Sequence, residues 1–216
     1  MRASPLLRLY EPALPPRLFA RLRRAFSRVG RERLRTTYQT TFWFDFGRPS
    51  CVPELVILAL RHRLPRRWRL TGAEWWLSRM YATDVQVDFH QDRDERLALS
   101  GGPEVHPSFS SVLFLNRVRG GALAVTAEPP CEDNPARSPA GRAWDLAAPR
   151  PNRFVLFKGD LTHGVLDAHN DVPTRRLREP ARLRQALIVN WWPRPPTGIP
   201  SFASRGVYRS MALPDF

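Results

Sequence analysis

From residue 73 onward the chain is a succession of short runs in which aliphatic, Thr and aromatic residues dominate. They are "AEWWLSRMY" (73–81), "DVQVDF" (84–89), "SFSSVLFLN" (108–116), "ALAVTA" (122–127), "RFVLF" (153–157), "HGVL" (163–166) and "QALIVNWW" (185–192). Each is short for a helix and bounded by Gly, Pro or charged residues, so each reads as a strand. Strands of this length cannot bury a face alone and must close on one another as a sandwich or barrel. The expected fold is mainly β, a jelly roll buttressed by N-terminal helices. Two long loops interrupt it, "EPPCEDNPARSPAG" (128–141) and "DAHNDVPTRRLREPAR" (167–182), and long loops at one end of a sandwich often line a site.

The first 70 residues follow a different period. "PPRLFARLRRAFSRVG" (15–30) reads as a helix opened by Pro15 and Pro16 and stopped by Gly30, with Leu18, Leu22, Phe26 and Val29 as its apolar stripe. Arg17, Arg21, Arg24 and Arg28 repeat on the other side; the stripe packs on the domain and the arginines meet solvent. "TTYQTTFWFDF" (36–46) reads as a strand, and "PELVILALRHRL" (53–64) as a second helix opened by Pro53. A length of 216 residues suits a single domain, here a helical and strand support over 1–70 and a β core over 71–216.

Charge sets bounds on partners. The net charge of +14 invites a polyanion, yet of the 34 basic residues only Lys158 is a lysine, a bias that points to a GC-rich coding background. Residues 1–35 hold ten arginines against Glu11 and Glu32, so +8 of the +14 (10 − 2) sits there. Nucleic acid is therefore the secondary expectation. The longest aliphatic run, "LVILAL" (55–60), is far short of a membrane span, and no apolar signal segment opens the chain. No membrane and a cytoplasmic location are expected. Cys51 and Cys131 read as free thiols.

The chemistry concentrates in "VDFHQDRDE" (87–95). On an extended strand, His90 and Asp92 point to one side. His163, in "LFKGDLTHGV", has the setting of an inward-facing strand residue 71 positions on (163 − 92). Two imidazoles and a carboxylate on one face leave open positions on a metal, as in non-haem Fe(II) oxygenases; zinc prefers sites richer in His or Cys. Arg184 opens the alternating run "RQALIVNWW". A guanidinium in a dry sandwich calls for an anion, and a dicarboxylate that chelates the metal at one end meets that demand at the other.

With these residues in place the chain resembles the Fe(II)/2-oxoglutarate-dependent dioxygenases, prolyl-hydroxylase-like branch. The resemblance covers about residues 73–192, through "DFHQD", "VLFLNRVRGGALAV", "NRFVLFKGDLTHGV" and "RQALIVNWW". It implies a double-stranded β-helix, with Fe(II) on His90, Asp92 and His163. It also implies 2-oxoglutarate with its distal carboxylate on Arg184, dioxygen as second cosubstrate and ascorbate as a candidate reductant. The gap from His163 to Arg184 is 21 (184 − 163), longer than the family's usual spacing, so Arg182 and Arg178 stay open as alternatives. A hydroxyl often assists the arginine from its own strand; Ala186 and Ile188 stand there, and Tyr81 is the candidate to supply it.

The family couples oxidative decarboxylation of 2-oxoglutarate to hydroxylation of an unactivated C–H bond. Trp75, Trp76, Trp191 and Trp192 are candidate walls for such chemistry, with core packing expected for at least two. The expected substrate is an amino-acid side chain, free or in a peptide or protein. AlkB-like oxidative dealkylation of nucleic-acid bases and a catalytically silent, ligand-binding jelly roll are the alternatives.

Overall fold

The computed structural model describes residues 5–29, 40–66, 68–80, 89–130, 144–166, 184–205 and 208–214. Nine strands form two antiparallel sheets among these residues. The strands are β1 (Arg8–Tyr10), β2 (Phe42–Phe44), β3 (Gly72–Met80), β4 (Phe109–Phe114), β5 (Leu123–Thr126), β6 (Asp145–Ala147), β7 (Arg153–Lys158), β8 (Thr162–Val165) and β9 (Arg184–Trp192). The large sheet runs β1-β7-β4-β9-β3-β2 and the small sheet β6-β5-β8. The helices are α1 (Pro16–Arg28), α2 (Val52–Arg61), and the short α3 (Glu95–Leu99) and α4 (Phe202–Arg205).

Alternation along the large sheet assigns its two faces. Trp75 and Leu77 of β3 and Leu187, Val189 and Trp191 of β9 point to one side, where Leu22 and Phe26 of α1 and Val56, Ile57 and Leu60 of α2 complete the main core. Fully burying side chains of this kind contributes about 1.5–3 kcal/mol each, so this layer anchors the sheet. The opposite face meets the small sheet. Val112 and Phe114 of β4 and Ala186 of β9 pack there against Leu123 and Val125 of β5.

Helix α1 carries the stripe read from the sequence, with Leu22, Ala25 and Phe26 buried, but it ends at Arg28 rather than at Gly30. The strand expected over 36–46 reduces to Phe42–Phe44 within the described part, and residues 36–39 lie outside it. Of the strand expected over 84–89, only Phe89 is described. The small strands β1 and β6 were not anticipated, and β1 pairs with β7 while β2 pairs with β3. The first 70 residues thus supply both edges of the large sheet as well as its helical cover.

The turn from β7 into β8 carries the chain from the large sheet to the small one within a few residues, at Gly159 and Asp160. This crossing brings β8 against the segment around residue 90. Among the described residues no helix is long and apolar enough to cross a membrane.

Candidate metal centre

His163 sits on β8 opposite Val125, whose side chain faces the large sheet, so its imidazole enters the space between the sheets. His90 joins the free edge of β8 through an antiparallel bridge to His163. The backbone N–H of His90 donates to the His163 carbonyl at 3.0 Å, and the N–H of His163 returns the bond at 2.9 Å. The two rings then lie with centroids 4.5 Å apart. Gly164 makes this close pairing possible: a Cβ there would meet the Phe89 ring at 2.9 Å.

Asp92 completes the cluster. Its Oδ2 is 3.4 Å from His163 Nε2 and its Oδ1 is 3.7 Å from His90 Nε2. Ser110 of β4 donates its hydroxyl to Asp92 Oδ2 at 2.6 Å, which ties the carboxylate to the large sheet. His106 Nδ1 lies 2.7 Å from the Asp92 backbone carbonyl and holds the loop. His163 Nδ1 donates to the Leu161 carbonyl at 3.1 Å, leaving Nε2 as the lone-pair nitrogen that faces the carboxylate. Two acceptors therefore confront each other at 3.4 Å, an arrangement that a cation between them resolves.

The electrostatics favour that state. Burial raises the Asp92 carboxyl's pKa, but the charge of His163, the hydrogen bond and charge of His90, and the Ser110 hydroxyl outweigh it. The net effect holds Asp92 well below the usual carboxylate range. Burial pushes the His163 imidazole down, against the opposing pull of Asp92. An ionised carboxylate and a neutral imidazole are the protonation states metal ligation requires. The ligating atoms of His90, Asp92 and His163 all lie within 4.8 Å of one another, so the three could hold one metal ion with small adjustments.

These side chains open on a pocket between the sheets. Arg184 lines the same pocket at 1% exposure. Its Nε donates to the Gly121 carbonyl at 2.9 Å and its guanidinium lies 4.9 Å from the centre of the Phe114 ring. Gly121 has φ of 70°, and a Cβ there would come within 2.9 Å of Arg184 Cδ. The "GG" of the sequence thus serves the approach of this arginine.

Sequence reasoning missed two hydroxyls on the pocket walls. Ser78 of β3 is buried and lines the pocket, and its Oγ has no partner among the described residues. It stands opposite Ala186, one of the positions that lacks a hydroxyl on the strand of the arginine. Ser110 is the other. Both lay on strands read from the sequence; the available signal was the phase, since Trp76 and Ser78 of β3, Ser110 and Val112 of β4, and Arg184 and Ile188 of β9, all even-numbered, line the pocket. Of the four tryptophans, Trp76 lines the pocket, Trp75 and Trp191 belong to the main core, and Trp192 is fully buried. Tyr81, Arg178 and Arg182 lie outside the described residues.

No family model and no curated protein matches the sequence. Solved structures do match in shape. A prolyl-4-hydroxylase from Pseudomonas putida aligns over 89% of this chain and 90% of its own, with 18% identity and a TM-score of 0.54. A prolyl 4-hydroxylase from Phytophthora capsici aligns over 86% of this chain and 58% of its own, with 16% identity and a TM-score of 0.50. The fold is the double-stranded β-helix of the prolyl 4-hydroxylases. Within that double-stranded β-helix the His–Asp–His cluster and Arg184 line one pocket between the two sheets.

Proposed function

We propose that this protein is a Fe(II)- and 2-oxoglutarate-dependent dioxygenase that hydroxylates an unactivated C–H bond of an amino-acid side chain, free or in a peptide or protein. The observation that carries this reading is the convergence of His90, Asp92, His163 and Arg184 on a single pocket. His90, Asp92 and His163 would hold the metal; bound there, Fe(II) supplies the redox chemistry that couples dioxygen to 2-oxoglutarate and the substrate C–H bond.

Every other part falls to the chain's own residues. Ser110 fixes the Asp92 carboxylate, and the Leu161 carbonyl sets the tautomer and ring angle of His163. Arg184 would receive the distal carboxylate of 2-oxoglutarate, oriented by the Gly121 carbonyl and the Phe114 ring. Ser78 would add its unpartnered hydroxyl to that carboxylate, the part expected of Tyr81. Val112, Ile188 and Leu123 line the same pocket and exclude water from the reacting centre.

The prolyl-4-hydroxylase neighbours favour an amino-acid side chain as substrate. The basic α1 supports base dealkylation less well, since its stripe is buried in the core across the large sheet from the pocket. The deciding experiment follows succinate formation with Fe(II), 2-oxoglutarate and oxygen against amino acids, peptides and alkylated oligonucleotides. Stimulation by amino acids or peptides supports the proposal. Stimulation by alkylated oligonucleotides alone, or no succinate at all, overturns it.

A further inference from the structure

On the pocket face of the large sheet a second polar group stands beside the ligands and has no part in holding metal or cosubstrate. Asn190 of β9 is opposite Ser110 on β4 and opposite Glu74 on β3. The three make one row across adjacent strands, at the level of Asp92, which Ser110 holds. Arg184 lies six positions back along β9 (190 − 184), about 20 Å of strand at roughly 3.3 Å per residue. A cosubstrate reaching from the metal toward Arg184 therefore leaves the Glu74 end to the substrate.

The row offers acceptors. Asn190 is 2% exposed, and its Oδ1 has no partner among the described residues. Glu74 Oε2 accepts a hydrogen bond from Trp192 Nε1 at 3.2 Å, and among the described residues no arginine or lysine pairs with it. Arg194, at the same end of the sheet, is engaged by Asp94 at 3.1 Å. Burial, and then the charge of Asp92, push the Glu74 carboxyl up to about 7, against the hydrogen bonds from Trp192 and Asn190. A carboxylate so placed is costly unless a cation or several donors meet it. An ammonium group has three donors and no acceptor, which fits two acceptors side by side. Trp76, two positions along β3, supplies an apolar wall between this row and the Arg184 end.

We propose that Glu74 and Asn190 form the substrate subsite and take an ammonium group of the molecule to be hydroxylated, so that amine-bearing amino acids or peptide N-termini are selected over their acylated forms. This rests on the oxygenase reading of the pocket.

The test is calorimetric titration of the full chain, loaded with Mn(II) and 2-oxoglutarate without oxygen. The probes are the free proteinogenic amino acids, their Nα-acetyl forms, and dipeptides with free N-termini. At least one amine-bearing probe should bind, with its Nα-acetyl form weaker by about tenfold or more. Binding by dipeptides as well as amino acids would place the source at a peptide N-terminus, and binding by amino acids alone at the free molecule; both support the proposal. Glu74→Gln should lose about tenfold or more in affinity for that probe while keeping wild-type affinity for Mn(II) and 2-oxoglutarate. Asn190→Ala should act in the same direction and decides the matter if Glu74→Gln does not fold. The proposal is overturned if no amine-bearing probe binds, if acetylation makes no difference, or if the variant that folds binds the amine as the wild type does. Failure of the wild type to bind Mn(II) or 2-oxoglutarate at all would overturn the oxygenase reading, and this proposal with it.

Discussion

Ser110 and Asp92 are joined by a 2.6 Å hydrogen bond that runs from the large sheet to the cluster on the edge of the small one. The hydroxyl donates to the same carboxylate oxygen that faces His163. Without it, Asp92 would be free to rotate away from the two imidazoles. Ser110→Ala should weaken Mn(II) binding by about 10–100-fold with little change in thermal stability. Ser110→Thr should restore most of the affinity, because it keeps the hydroxyl. Titration of both variants with Mn(II) checks this, and equal affinities for wild type and Ser110→Ala would show that Asp92 holds its place unaided.

Gly164 lies under the Phe89 ring, next to both histidines. Gly164→Val should push Phe89 or β8 outward and spoil the paired backbone hydrogen bonds of His90 and His163. An overpacking cost of about 1–3 kcal/mol is expected, with a loss of metal affinity beyond that of other substitutions of equal stability. Denaturant unfolding alongside Mn(II) titration separates the two effects.

How much of this was legible in the sequence depends on the length over which a pattern runs. His90, Asp92, His163 and Arg184 stand out in the sequence because each belongs to a strand-like run with clear alternation or to a fixed i, i+2 relation. Ser78, Ser110 and Glu74 sit on equally clear strands, yet their roles depend on which sheet face meets the helices and which meets the pocket. That assignment comes from the pairing order of the sheet and is absent from any single strand. The strands β1 and β6 are three residues each and too short to show a period. Helix α3 hid inside the charged run: Asp94 caps it by accepting from the Leu97 N–H at 3.2 Å, a role that "RDERLALS" permits but does not announce among so many charges.

Arg184→Ala should weaken 2-oxoglutarate binding by about 30-fold or more, because it removes one side of a buried charge pair, while Mn(II) affinity stays near wild type. Tryptophan fluorescence titration with 2-oxoglutarate in the presence of Mn(II) measures it. If Arg182→Ala produces the loss and Arg184→Ala does not, the cosubstrate's partner is Arg182.

Glu74 gives a pH signature in the metal-free protein. Its carboxyl binds a proton more tightly when folded, since burial and Asp92 raise it from an ordinary 4.5 to about 7. Its contribution to stability is therefore fully present below the unfolded value and declines as pH rises toward about 7. Glu74→Gln removes that decline. The melting temperature of the variant relative to wild type should rise between about pH 5 and about pH 8. A difference that is flat or falling over that window would place Glu74 in a solvated setting.

Leu22 of α1 is fully buried in the main core, so the arginine-rich helix is part of the fold rather than an appendage. Leu22→Ala should cost about 2–5 kcal/mol in denaturant unfolding, whereas Arg21→Ala or Arg24→Ala on the exposed face should change stability by less than about 0.5 kcal/mol.

The most direct measurement is anaerobic calorimetric titration of the full chain with Fe(II), compared with His163→Ala and Asp92→Ala. The expected result is one ion per wild-type chain and loss of that binding in both variants, with their folds retained by circular dichroism. Fe(II) binding of unchanged affinity in folded His163→Ala would contradict the assignment of the centre.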